Sequence, residues 1–367
     1  MTALARDELE VTVFGPGYGE SSVVHVGDGM WIIIDSCIDT NTGLPAPLQY
    51  LREIGVDLAR DVKLVVASHW HDDHIRGMAR VASACATAKF CCSSALSRQE
   101  FLATVIPHAE RNMIAAGSGV NEIFEVLEQI AQSSGSKTVI RASPNRRVFA
   151  IPPDTMRHGF GCEVWTLSPS DGQFRKFLEE IAKLAPMPGE TKRRVPDQAP
   201  NHLAVVTWIR IGPVSMLFGS DLEETGDDET GWSVIVASAE RPTGNAIIFK
   251  VPHHGSQTGH NDAVWSEMLS SSPYAVLTPY NRGTKLPSAK DVARILERTP
   301  NAFSTARLLP RRKSRPVAVE KEIKLSAKRL EPLQQNTGAV RLRNGGRANP
   351  NNWRVELLHG ACRLQEF

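Results

Sequence analysis

Apolar runs broken by glycine and aspartate open the chain. Leu9 to Phe14, Ser22 to Val26 and Met30 to Asp35 read as three strands, the first two joined by a glycine-rich turn at Gly15 to Gly19. A helix from Pro47 to Ile54 leads into a buried strand at Val62 to Ala67. A small-residue helix over 76–86 and a short strand near Lys89 to Cys91 follow. From about 94 to 132 the spacing turns helical, with Phe101, Val105, Ile114, Ile123, Phe124, Val126, Leu127 and Ile130 three to four residues apart, and predicts a helical insertion. Strand signals resume at Thr138 to Ile140 and Cys162 to Leu167, ahead of a proline- and charge-rich loop over 184–200. Leu203 to Ile209 and Val214 to Phe218 form a hairpin around Gly212-Pro213. A helix at Trp232 to Ala237, strands at Ala246 to Val251 and Tyr274 to Thr278, and a helix at Ser288 to Glu297 complete an alternating pattern. Strands interleaved with helices predict an α/β layered domain.

Beyond Pro300 the character changes. Residues 301–367 hold 14 Lys and Arg against 5 Asp and Glu, with a cluster at Arg311, Arg312, Lys313 and Arg315 and further cations at Lys321, Lys324, Lys328 and Arg329. The pattern predicts one main domain over 1–300 and a basic C-terminal extension over 301–367. That extension ends in a β-hairpin, Val340 to Arg343 and Trp353 to Leu357, around a Gly-Gly turn. Clustered positive charge attracts polyanions, so nucleic acid or a nucleotide is the expected partner. Few aromatics interleave with these cations, which favours backbone contact over base readout.

With 41% apolar and 22% charged side chains, the 367 residues have ordinary globular composition. No run approaches the roughly 20 apolar residues of a membrane span. The acidic residues near Met1 do not suit a signal peptide, so a soluble cytoplasmic protein without membrane contact is expected. Six cysteines without a C-x-x-C pair predict reduced, mostly buried thiols rather than a zinc knuckle or redox dithiol. No G-x-S-x-G elbow points to a serine nucleophile.

The chemistry concentrates at Ser68-His69-Trp70-His71-Asp72-Asp73-His74, directly after the Val62 to Ala67 run. Imidazole and carboxylate suit zinc, manganese or iron, and crowding them at a strand end lets several reach one point. His69 and His71 alternate and can face one ion, while Asp73 and His74 turn toward a second. Two further strands end in Gly219-Ser220-Asp221 and Pro252-His253-His254. Asp221 suits a bridge between two ions about 3.5 to 4 Å apart, a pairing that activates water and neutralises an oxyanion. Ser220 and Ser256 are expected to orient ligands.

His69, His71, Asp73 and His74 match the H-x-H-x-D-H signature, and in this they resemble the metallo-β-lactamase superfamily. A narrower resemblance is to the hydrolase domain of ComEC-type competence proteins. It is carried by Gly17-Tyr18-Gly19-Glu20-Ser21-Ser22, Val251 to Ser256, Asn201, Gly219 to Asp221, and Asn281 through Pro287. The likeness covers about residues 10–298 and implies an αββα sandwich with two divalent ions, zinc or manganese, at one edge. It implies a phosphodiesterase or nuclease acting on DNA, RNA or nucleotides through a metal-activated hydroxide.

By the same resemblance, His69, His71, Asp73, His74, Asp221 and His253 are the metal ligands, and Asp73 and His254 serve catalysis. His254 protonates a leaving group or holds a phosphate, or else hydrogen-bonds a ligand. Asp35 is a buried carboxylate behind the ligands, with Ser256 in a similar supporting place. Many superfamily members have a further histidine for the first ion, for which His108, His158 and His202 are the candidates here. Asn201, His202, Asn281 and Lys285 are expected as ligand or substrate contacts. The competing expectations are hydrolysis of esters, thioesters or lactams, and a metal-stabilised component that binds a partner protein through the helical insertion.

Overall fold

The alternation of strands builds two eight-stranded sheets in the computed structural model, which describes residues 4–97, 119–132, 139–184, 200–308, 316–326 and 337–367. The first six strands are β1 (Glu10–Phe14), β2 (Ser21–Gly27), β3 (Met30–Ile34), β4 (Val62–Ala67), β5 (Lys89–Ser93) and β6 (Val139–Ala142). The chain then crosses to β7 (Arg146–Ile151), β8 (Cys162–Thr166), β9 (Thr207–Ile211), β10 (Val214–Phe218), β11 (Ala246–Lys250), β12 (Leu269–Leu277) and β13 (Ala302–Ser304). Its last strands are β14 (Ala339–Asn344), β15 (Trp353–Leu358) and β16 (Cys362–Arg363). One sheet runs β15-β14-β1-β2-β3-β4-β5-β6 and the other β16-β13-β12-β11-β10-β9-β8-β7.

Strand side chains alternate between two apolar surroundings, which is why β3 reads as an unbroken apolar run and β4 as one broken only at Lys63. Ile32, Ile34, Leu64 and Val66 face the second sheet and meet Val164, Ile209, Met216 and Ile248. Trp31, Ile33 and Val65 point the other way, onto helices that contribute Leu48, Leu51 and Val81. The outer face of the second sheet is covered by Trp232, Ile235, Val264 and Ile295. Helices therefore flank a two-sheet sandwich, the αββα arrangement. No helix among the described residues is long and apolar enough to cross a membrane. All six cysteines are free and buried.

Several elements escaped the sequence pattern, among them β13, β16 and the helix Val317–Ser326, as well as a strand and a helix nearer the middle of the chain. β7 is an edge strand with exposed Arg146 and Arg147, so it lacks the apolar alternation of a half-buried strand. The helix Asp171–Leu184 buries Phe177 against the first sheet's helical layer. The strand expected from Leu203 begins later, at Thr207, because Pro200–Leu203 forms a 3-10 turn.

Within the predicted insertion, the described helix Gly119–Gln132 turns Ile123, Val126 and Ile130 into the core. The Glu122 carboxylate accepts from the Gly77 and Ala79 amides at 2.8 and 3.1 Å, and so caps the helix Met78–Ala84 that follows the histidine motif. Residues 98–118, with Phe101, Val105, His108 and Ile114, lie outside the described residues, as does the loop over 185–199.

The C-terminal segment is woven into the sandwich rather than appended to it. The hairpin forms with Ala339 opposite Leu358 and Asn344 opposite Trp353, and β14 pairs with β1 along its whole length. β13 and β16 lie at the edge of the other sheet. Arg341 and Arg343, counted above among the cations of the basic segment, are buried. Arg343 Nε donates to Glu10 Oε2 at 2.7 Å, and the same carboxylate accepts from Tyr50 Oη at 2.5 Å and Thr12 Oγ1 at 2.8 Å. Arg341 pairs with Glu356 and donates to Tyr50 Oη at 3.2 Å. These two guanidiniums stitch the sheet together and are not presented to a polyanion. The cluster at Arg311, Arg312, Lys313 and Arg315 and the cations Lys328 and Arg329 fall outside the described residues.

Candidate metal centre

Each expected chemical group sits where a strand of the sandwich ends. β4 delivers residues 68–74, β10 delivers Ser220 and Asp221, and β11 delivers residues 252–256. The β1–β2 turn brings Gly15 to Glu20 alongside. In open α/β sheets the carboxyl ends of parallel strands are the usual place for ligands, because backbone ladders end there and loops are free to carry side chains. Gly19 is required at this junction. Its φ is +102°, and a Cβ there would stand 2.8 Å from Cys37 Cβ and 3.2 Å from the Asp73 carbonyl oxygen.

Four buried side chains, Asp73, His74, Asp221 and His254, bring one ligand atom each within 4.8 Å of the others, and His69, His71 and Asp221 do the same. Asp221 belongs to both groups. His74 Nε2 lies 3.2 Å from Asp221 Oδ1, yet neither atom has a hydrogen-bond partner although both are buried. His254 Nε2 lies 3.1 Å from Asp73 Oδ2 and 3.4 Å from Asp221 Oδ2. Converging imidazole nitrogens and carboxylate oxygens, some of them buried without a partner, are what a borderline-hard divalent cation fits.

The inner histidines share one wiring rule: Nδ1 is tied outward and Nε2 faces the cluster. His69 Nδ1 meets Ser68 Oγ at 3.0 Å, and Ser68 Oγ donates to Asp35 Oδ2 at 2.7 Å. His74 Nδ1 lies 2.9 Å from Asp35 Oδ2, and His254 Nδ1 donates to the Thr278 carbonyl at 2.9 Å. Outer partners of this kind fix the ring and its tautomer. Asp35 thus stands behind two ligand candidates, the supporting place expected for it. Ser220 Oγ also approaches His69 Nδ1, at 3.4 Å.

Electrostatics reinforce the arrangement of these side chains. Burial raises the Asp35 carboxyl, a push that its bonds with His74 and Ser68 reduce without cancelling. Burial also works against ionisation of Asp73 and Asp221, but the neighbouring His74 and His254 overcome it and hold both carboxyls below their usual range. In return Asp221 and its companion carboxylates hold His74 and His254 above the ordinary imidazole value despite burial. His69 is lowered by burial and by His74 and His71 beside it. Anionic carboxylates facing imidazoles is the charge pattern that a cation binds to after displacing protons.

The paired histidines are exchanged relative to the sequence expectation. His254 joins the cluster, whereas His253 turns away, its Nδ1 2.9 Å from Glu223 Oε1 and 2.7 Å from Thr258 Oγ1. Both residues adopt left-handed backbone, φ +46° for His253 and +52° for His254, so the chain reverses within two residues. Left-handed conformation at non-glycine residues has no signature in a His-His-Gly string. Ser256 supports His253 rather than the cluster: its Oγ lies 3.2 Å from Thr258 Oγ1, which meets His253.

His202, a candidate for the first ion, stands beside this outer group, with Nε2 4.0 Å from Glu223 Oε2. Asn201 Nδ2 donates to Glu223 Oε1 at 3.2 Å and lies 3.4 Å from His253 Nε2. His158 bonds the Val26 carbonyl at 2.9 Å beside Gly27, at the end of β2 remote from the cluster. Asn281 anchors its loop, its amide donating to the Gly17 carbonyl at 2.7 Å, and Lys285 lies half-buried in the same loop.

Two functional groups were not singled out from the sequence. Glu20 is buried and ion-paired with buried Lys250, and it accepts from Thr278 Oγ1 at 2.5 Å while reaching within 3.5 Å of His74 Nδ1. With the Lys250 ammonium already at its carboxylate, Glu20 serves as a brace for His74 rather than a cation ligand. The signal was a lone lysine closing the apolar strand Ala246–Lys250. Replacing His254 by alanine is expected to lower the metal content measured by atomic emission, while the same change at His253 leaves it intact. Equal loss in both variants refutes the exchange.

With this geometry in place, residues 14–100 match the family model described as the metallo-beta-lactamase superfamily. The match supports membership of that superfamily. No curated protein matches the chain. Solved structures similar to it include the metallo-beta-lactamase fold protein YhfI from Bacillus subtilis, 14% identical over 66% of this chain and 70% of that one, with a TM-score of 0.35. Zinc-bound PqqB from Methylobacterium extorquens is 12% identical over 65% and 69%, with a TM-score of 0.32. The family match and the two-sheet αββα arrangement together fit a metallo-β-lactamase fold.

Proposed function

We propose that this metallo-β-lactamase-fold protein is a phosphodiesterase or nuclease that uses two divalent ions, zinc or manganese, on nucleic acid or nucleotides. The observation that carries the reading is Asp221, whose carboxylate belongs to both ligand groups. Ions bound there supply Lewis acidity, polarising a phosphoryl oxygen and lowering the pKa of water toward neutrality. His69 and His71 hold one side of the centre, and Asp73, His74 and His254 the other. Glu20 and Asp35 keep His74 oriented. His253, set by Glu223 and Thr258, takes over the part first given to His254: its Nε2 donates a proton to the departing oxygen, with Asn201 beside it holding a phosphate oxygen.

The phosphodiester choice is supported by the segments that resemble the ComEC-type branch, because the Gly17 to Ser22 turn, Asn201, Asp221, His254 and the Asn281 loop all gather at one edge. The test is a panel on metal-loaded protein: single- and double-stranded DNA, RNA and bis-p-nitrophenyl phosphate against a carboxylic ester, a thioester and a β-lactam. Turnover of the phosphodiesters, abolished in Asp73→Ala, is expected. Turnover confined to the carboxyl substrates, or an Asp73→Ala variant that behaves like the parent, sinks the reading.

A further inference from the structure

Beside the cluster lies a cavity of about 290 Å³, lined among others by Tyr18, Asp72, Arg76, Asn281 and Arg282. A second and larger cavity, about 550 Å³ between Arg6, Trp31, Ile54 and Arg343, lies at the far end of β1 from the cluster. Tyr18 and Arg282, which line the smaller cavity, belong to a row of planar groups that continues beyond it toward the cluster. The Tyr280 ring stands 5.2 Å from the His254 ring, Tyr18 stands 5.7 Å from Tyr280, and the Arg282 guanidinium carbon sits 3.5 Å over the Tyr18 ring. Arg282 is exposed and the two tyrosines are half-buried, so the row leads from a metal-ligand candidate out to solvent.

The row is held in advance of any ligand. Tyr280 and Leu286 exchange backbone hydrogen bonds of 2.9 and 3.0 Å, closing the loop that carries Arg282, and the Asn281 amide ties that loop to the Gly17 carbonyl at 2.7 Å. Gly17, at φ +93°, is what allows the approach, since a Cβ there would lie 2.4 Å from Asn281 Nδ2. Arginine over tyrosine at a cleft mouth presents a delocalised plane, and bases stack on aromatic rings and guanidinium planes irrespective of sequence. Asp72 and Arg76 line the same cavity, so a cation is at hand for an adjoining phosphate.

We propose that Tyr18, Tyr280 and Arg282 form a stacking wall that seats an unpaired nucleobase next to the group held at the metal centre. The inference rests on the phosphodiester reading and names what flanks the phosphate: a base from a single strand or from a free nucleotide, since a base paired in a duplex has no free face to offer.

Binding tests it without relying on turnover. Adenosine 5′-monophosphate is expected to bind about tenfold more tightly than ribose 5-phosphate, a difference within the range of one stacked base. Tyr18→Leu and Arg282→Ala bring that ratio close to one while leaving ribose 5-phosphate affinity unchanged, and Tyr18→Phe keeps the ratio, which separates stacking from misfolding. A single-stranded oligonucleotide that outbinds the mononucleotide assigns the base to a polymer; equal binding assigns it to a free nucleotide. No preference for the base in the parent protein, or a ratio untouched by both variants, overturns the wall. Base preference without phosphodiester turnover keeps the wall and removes the reaction, whereas turnover without base preference does the reverse.

Discussion

Replacing Asp221 by alanine is expected to cost the protein its metal and its hydrolytic activity together. Residues that only orient ligands cost ten- to a hundredfold when removed, and Asp221 sits inside both ligand groups, so a loss above about a hundredfold in kcat is expected. The variant also exposes a linkage effect. A ligand that binds only the folded state stabilises it by about 2.7 kcal/mol at a hundred times its Kd, so zinc or manganese should raise the melting temperature of the parent protein. Asp221→Ala should show little such response, and its metal content should fall below that of His253→Ala. A variant that still gains stability with metal and still turns over substrate removes Asp221 from the centre.

The largest expected effect on stability lies in the other sheet, on β1. Glu10 is fully buried, and its carboxylate accepts from Arg343, Tyr50 and Thr12. Glu10→Ala leaves a buried guanidinium without its counter-charge, a loss of about 3–5 kcal/mol. Urea denaturation followed by circular dichroism should show the midpoint fall without a large change in slope. Pairing Glu10→Leu with Arg343→Leu should recover much of the loss, because a buried ion pair replaced by apolar residues is often neutral. A double variant no more stable than Glu10→Ala contradicts this account.

The sequence carried most of the architecture because the sandwich buries both faces of its central strands. Runs such as Met30 to Ile34 and Leu64 to Ala67 have no polar residue to obscure them. Recognition of the ligand set rested on spacing within residues 69–74, where four of the clustered side chains are nearly adjacent. What stayed hidden depends on backbone conformation or distant pairing. The choice between His253 and His254 turns on two left-handed residues. The Glu20–Lys250 pair joins positions far apart in the chain, each in an unremarkable local context. Arg341 and Arg343 add to the positive balance of residues 301–367, and only the pairing of β14 with β1 reveals Glu10 as the counter-charge of Arg343.

The placement of β14 has a temporal meaning. β1 leaves the ribosome more than three hundred residues ahead of β14, yet one of its two neighbours is built from residues 339–344. Until those residues emerge, β1 has a bare edge and Glu10 lacks its arginine. The turn that follows β1, Gly15 to Glu20, abuts the histidine motif through the Glu20 amide on the Asp73 carbonyl. Pairings of such long sequence separation form late, so the cleft is expected to become competent to bind a metal only after residues 339–344 have emerged.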